Sequence, residues 1–193
     1  MSAKNKQDTI LRLLFWESTI RCNLNCVHCR RIESNEAAFK DATTEQGRSV
    51  IEQLSQIGRD QGSRPILVFS GGEPLCREDI FELVRLAKDK QIIPALATNA
   101  TLIDEEIAGR IRTSGVSRVA VSLDGATAEV HNKLRKMPGS FEKAIEGINC
   151  IRGEGIPYQI NITLTRHNFH QLDEVYELGL SLGASALHIF MLV

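Results

Sequence analysis

Short apolar runs recur along this chain, and stretches of helical periodicity separate them. Six runs stand out, over residues 11–19, 65–70, 92–98, 117–122, 158–165 and 186–193. Each is near-continuous rather than alternating, which predicts strands buried on both faces of a parallel sheet. The intervening segments 44–57, 79–89, 104–113, 140–152 and 172–182 carry apolar residues at the spacing of one helix face. In the first, Val50, Ile51, Leu54 and Ile57 share a side; in the fourth, Ala144, Ile145, Ile148 and Ile151 do. Thr43 with Gln46 reads as a cap for the first helix, Asp104 as an N-cap, and Gly115, Gly153 with Gly155, and Gly183 as helix stops. Strand followed by helix, repeated, builds a parallel sheet through right-handed crossovers, either an open doubly wound sheet or an arc of a barrel.

The chain has 193 residues, which suits one α/β domain over 1–193, with no linker or low-complexity segment. The last run stops in the middle of a core strand, so the sequence reads as a fragment of something longer, lacking a C-terminal domain. Lys and Arg (23) balance Asp and Glu (24), and the short Arg30–Arg31 pair is too little to argue for nucleic acid. No apolar run is long enough for a membrane span, and residues 1–8 are polar, unlike a signal peptide. The expected address is the cytoplasm, with neither nucleic acid nor membrane as partner.

Five cysteines are present, and three crowd into residues 22–29. In a reducing compartment such a cluster points to a metal site rather than a disulfide framework. Cys76 and Cys150 read as buried or half-buried thiols. The run Cys22-Asn23-Leu24-Asn25-Cys26-Val27-His28-Cys29 directly follows the first strand. Three thiolates on one loop suit a cubane iron–sulfur cluster with one iron left open, and a three-thiol zinc site completed by His28 or another histidine is the alternative. Ser70-Gly71-Gly72-Glu73-Pro74-Leu75 ends the second strand: glycines admit close backbone approach and a carboxylate can receive an ammonium, whereas the plain reading is a turn. Ser122-Leu123-Asp124-Gly125 ends the fourth and offers hydrogen bonds to ribose hydroxyls, or a capping turn. The three motifs all fall at the C-terminal ends of parallel strands, where such domains bind ligands. Thr98 and Asn99, and Asn161 with Thr163, add polar groups to the same face.

Taken together, Cys-x3-Cys-x2-Cys, Gly-Gly-Glu-Pro and Ser-x-Asp-Gly after strands one, two and four resemble the radical S-adenosylmethionine (SAM) superfamily over nearly the whole chain. The Cys-Asn-Leu-x-Cys-x-His-Cys form and the His131-x3-Arg135 pair resemble its SPASM/twitch branch, whose members carry further clusters in a C-terminal domain. Residues 17–31, Ala97-Thr98-Asn99 and 186–190 are similar to the haem-biosynthesis members, the NirJ-like enzymes and the decarboxylases of the sirohaem-derived haem route.

The resemblance implies a partial (β/α)6 TIM-like barrel holding a [4Fe–4S] cluster on Cys22, Cys26 and Cys29, with SAM on the open iron. It implies that Gly71, Gly72 and Glu73 hold the SAM ammonium and that Ser122 and Arg135 steady its carboxylate. Asp124 would contact the ribose, while Thr98, Asn161, Thr163 and the backbone near Leu192 would line the rest of the cofactor site. His28 would lie on the adenine side, off the iron. The implied reaction is reductive cleavage of SAM to a 5′-deoxyadenosyl radical, spent on decarboxylating tetrapyrrole side chains. The electron would come from a ferredoxin or flavodoxin. A radical SAM maturase acting on a peptide or a pyrroloquinoline-quinone precursor, and a non-catalytic metal-binding or electron-carrying domain, are the alternative readings.

Overall fold

The computed structural model describes residues 10–29 and 40–192. Strands and helices alternate in the order β1 (Leu13–Glu17), α1 (Thr44–Asp60), β2 (Ile66–Ser70), α2 (Ile80–Asp89), β3 (Ile93–Thr98), α3 (Glu105–Ser114) and β4 (Arg118–Ser122). They continue with α4 (Ala128–Arg135), α5 (Ser140–Gly153), β5 (Tyr158–Leu164), α6 (Leu172–Leu182) and β6 (Leu187–Met191). All five strand pairings are parallel and the strand order is the sequence order. A sheet without a reversal in strand order has every right-handed crossover on one side. The structure is therefore the curled half-barrel, not the doubly wound sheet.

One face of the sheet packs under the helices. Leu67, Phe69, Leu96, Val119, Val121 and Ile160 point there and join Ile51, Leu83, Ile111 and Ile148 in a single core. The predicted caps form: Thr43 and Gln46 complete a reciprocal capping box on α1, and the Asp104 carboxylate accepts from Ile107 N at 2.8 Å.

Burial on both faces, expected of every strand, does not hold. Burial alternates along β3 and β4, and β1 and β6 are largely open. With all helices on one side, the opposite face is the inside of the arc, lined by small or polar residues such as Ala97, Ala120, Ser122 and Asn161. Edge position adds to this for Phe15 on β1 and Phe190 on β6, both exposed. On α1, Ile51 and Leu54 are buried, whereas Val50 and Ile57 reach the surface.

Candidate functional site

β1 ends at Glu17, and the chain then runs as irregular backbone into the cysteine loop. Ser18 still pairs with β2, its N–H and hydroxyl both reaching Ser70 O, at 2.8 and 2.9 Å. The Gly-Gly-Glu turn then knits onto the lead-in of the loop: Gly72 N donates to Thr19 O at 2.7 Å and Glu73 N to Arg21 O at 2.8 Å. A side chain would not fit at either glycine. A Cβ on Gly71 (φ +131°) would stand 2.3 Å from Thr19 O, and one on Gly72 would stand 2.3 Å from Arg21 O. The glycines thus first serve a backbone-to-backbone approach that presses the cysteine loop against the end of β2.

Glu73 turns inward. Its carboxylate accepts from Thr98 Oγ1 and Asn99 N, both at 2.8 Å, and from Leu75 N at 3.2 Å. Complete burial pushes its pKa up to about 7, against the pull of these donors. This side chain, which the resemblance puts at the SAM ammonium, ties the end of β3 to the turn. Asn99 carries the tie onward: its side-chain amide donates to Asn23 Oδ1 at 2.9 Å and lies 4.0 Å from Cys22 Sγ. Asn23 in turn donates to Thr101 Oγ1 at 2.8 Å.

The third anchor comes from α4, a helix the apolar pattern did not predict. Val27 N donates to Leu134 O at 2.8 Å, seating the cysteine loop on the end of that helix. Arg135, the last residue of α4, is buried rather than a surface cation beside Lys133 and Lys136. Its guanidinium meets Asp124 Oδ2 at 2.8 Å and Cys26 Sγ at 3.7 Å. Asp124 is fully buried; its Oδ1 accepts from Thr163 N at 2.9 Å and its Oδ2 lies 3.6 Å from His28 Nε2. The Asp124 carboxylate thus meets Arg135, Thr163 and His28. His131, one turn before Arg135, accepts from Asp124 N at Nδ1 over 3.2 Å, and burial brings its pKa down to about 3. Burial also lowers the pKa of His28, with Arg135 adding to the effect and Asp124 opposing it.

On the inner face, Ser122, Asn161 and His188 share one register row across β4, β5 and β6. Asn161 Oδ1 accepts from Gln159 Nε2 at 2.9 Å, and that nitrogen also lies 2.9 Å from His188 Nδ1. Leu192 N pairs with Leu164 O at 3.0 Å, extending the β5–β6 ladder. The predicted residues therefore gather at one end of the sheet. Arg30 and Arg31 lie outside the described residues.

The donor set fits the implied cofactors. Cys22, Cys26 and Cys29 form no disulfide, and the sulfurs of Cys22 and Cys26 sit as hydrogen-bond acceptors, from Leu24 N (3.4 Å) and Arg135 respectively. Among the described residues no three His, Cys, Asp or Glu side chains converge as a single metal ion requires. A cubane asks for no such point, since each thiolate binds a different iron. Among the described residues, the buried Arg135 Nε and His28 Nδ1 have no hydrogen-bond partner, and they remain beside the loop for a polar ligand.

Comparison with known proteins settles the family. A family model described as the Radical SAM superfamily matches residues 16–179. The chain belongs to that superfamily. Its cofactors are a [4Fe–4S] cluster and SAM. The AdoMet-dependent heme synthase of Methanosarcina barkeri is 43% identical over 182 residues, covering 94% of this chain and 51% of that protein. The pre-heme d1 synthase of Dinoroseobacter shibae is 33% identical over 181 residues, 94% of this chain and 43% of that protein. The solved structure of native anSMEcpe with bound AdoMet shares the fold, with TM-score 0.76 and 24% identity over 95% of this chain and 52% of that one. The chain spans about half the length of the curated relatives it matches.

Sequence reading missed two polar hubs. Asp41 binds Thr19 Oγ1 (2.6 Å), Ile20 N (2.8 Å) and Arg21 Nε (3.3 Å), closing the neck of the cysteine loop. Asn168, fully buried, donates to Asp124 O and Thr163 O, both at 2.9 Å, and its Oδ1 accepts from Thr165 N at 2.7 Å. Both bond to distant segments and leave no periodic signal; the one cue was Asn168 following Thr165 in a turn-forming stretch.

Proposed function

We propose that residues 1–193 form the radical SAM core of an enzyme that removes carboxylate side chains from a tetrapyrrole in haem-type biosynthesis, acting in the cytoplasm. The observation that carries this reading is the extent of its identity to the heme synthase of Methanosarcina barkeri, spread over nearly the whole chain. In this reading Cys22, Cys26 and Cys29 hold the [4Fe–4S] cluster, and Cys76 and Cys150 take no part. The cluster, when bound and reduced, supplies the electron for reductive cleavage of SAM.

The chain's own residues orient and enclose. Gly71 and Gly72 offer backbone to the SAM ammonium, while Glu73 fixes that turn from within. Arg135, whose Nε has no partner among the described residues, is the cation for the SAM carboxylate, and Asp124 acts through Arg135. Ser122, Asn161 and Thr163 give the inside of the arc its hydrogen-bonding groups. A cleft of about 480 Å³ runs beside Cys22 and is lined by Arg21 and Lys136 among others. Its two cations suit an acidic one-electron carrier of the ferredoxin or flavodoxin kind.

The test is anaerobic turnover of the reconstituted protein with SAM, dithionite and an iron tetrapyrrole bearing propionate side chains, followed by mass spectrometry. Loss of carbon dioxide from the tetrapyrrole, in step with 5′-deoxyadenosine, is the expected result. SAM cleavage with the tetrapyrrole unchanged, and a peptide modified instead, would replace this substrate with that of a maturase.

A further inference from the structure

Cys26 is the most enclosed of the three loop thiols, 7% exposed, while Cys22 and Cys29 are partly open. Its sulfur also faces a full charge. Arg135 Nη1 donates to Cys26 Sγ at 3.7 Å, and Nη2 lies 2.8 Å from Asp124 Oδ2. Arg135 is itself only 7% exposed and Asp124 not at all, so water screens neither charge well. Asp124 is held independently, by Thr163 N at 2.9 Å on its other oxygen, so the line Asp124–Arg135–Cys26 is anchored at its far end.

We propose that Arg135 sets the reduction potential of the cluster through its hydrogen bond to Cys26 Sγ, with Asp124 as a counter-charge that limits the effect. The inference rests on the reading of Cys22, Cys26 and Cys29 as cluster ligands. Hydrogen bonds to the sulfurs and nearby charge are among the factors that fix a cluster's potential. Reduction adds one electron, delivered by a low-potential one-electron carrier, and makes no bond at Arg135. The buried cation stabilises the added negative charge, which raises the potential; the Asp124 carboxylate behind it lowers it.

These opposed effects give a test that a merely structural role does not pass. The reconstituted protein, without SAM, is titrated potentiometrically with electron paramagnetic resonance as the readout, alongside Arg135→Gln, Arg135→Lys and Asp124→Asn. Iron and sulfide content and circular dichroism establish that each variant holds its cluster and fold. Arg135→Gln is expected to shift the midpoint down and Asp124→Asn to shift it up, with Arg135→Lys between wild type and Arg135→Gln. Should Arg135→Gln fail to fold, an upward shift in Asp124→Asn still carries the inference. A potential unmoved by Asp124→Asn, or moved in the same direction by both neutralising substitutions, overturns it while leaving the cluster intact. A wild type that takes up no iron–sulfur cluster removes the ligand reading, and this inference with it.

Discussion

Glu73 joins two strand ends through a carboxyl group with no exposed surface, and that burial has a consequence for pH. Its folded pKa of about 7 lies above the ordinary 4.5, so between these values the folded state holds a proton that the unfolded state has lost. Stability from this group is therefore full below about 4.5 and falls as pH rises to about 7. His131, brought from 6.5 down to about 3, acts with the opposite sign, adding stability as pH rises across that span. Comparing urea denaturation of wild type and Glu73→Gln at about pH 5 and about pH 8 isolates the Glu73 contribution. The variant is expected to gain on wild type at the higher pH. At Gly72 the constraint is steric: a methyl 2.3 Å from Arg21 O forces the cysteine loop away. Gly72→Ala is expected to cost about 1–3 kcal/mol and to reduce iron uptake on reconstitution. The sequence made both residues visible as part of a motif but not their partners. Thr98, Asn99 and Arg21 come from other strand ends, and only the fold brings them near.

The cysteine loop is held at its neck by Asp41, at one flank by Asn99 and at the other by α4. Removing the neck contact with Asp41→Ala leaves Ile20 N and Thr19 Oγ1 without their acceptor, a loss of about 1–3 kcal/mol. Faster loss of iron to a chelator is the expected readout. Leu134→Ala, at a buried position whose carbonyl seats Val27, is expected to lower stability by about 2–5 kcal/mol in thermal or urea unfolding. The other five helices announce themselves by an apolar stripe, but α4 does not. Its buried residues are His131, Leu134 and Arg135, so two of three are polar and the pattern that marks a core face is missing. The element that carries a site residue was the hardest to read for that reason: its inner face meets charged and sulfur groups rather than the core.

At the scale of the molecule, β–α alternation and the caps were legible, whereas right-handed crossovers alone left a doubly wound sheet and an arc of a barrel both open, and only the family resemblance pointed to the arc. What periodicity did not reveal is that the two edge strands stay open. Phe15 on β1 and Ile189, Phe190 and Met191 on β6 are exposed. Their runs look like those of interior strands because side-chain type reports apolarity, not the number of neighbours. An exposed apolar edge invites pairing between copies, so Met191→Lys is expected to reduce self-association in light scattering with little change in melting temperature. The arc also gathers the ends of six strands on one side, which is what places three cysteines, a Gly-Gly-Glu turn and a buried Arg–Asp pair within a single site. That this site binds a cluster for SAM cleavage is the central claim. It is tested most directly by measuring 5′-deoxyadenosine after anaerobic reconstitution with SAM and dithionite, beside a Cys26→Ala control. Product that disappears in the control is the expected result; zinc in place of iron and sulfide, with no product from either protein, would contradict it.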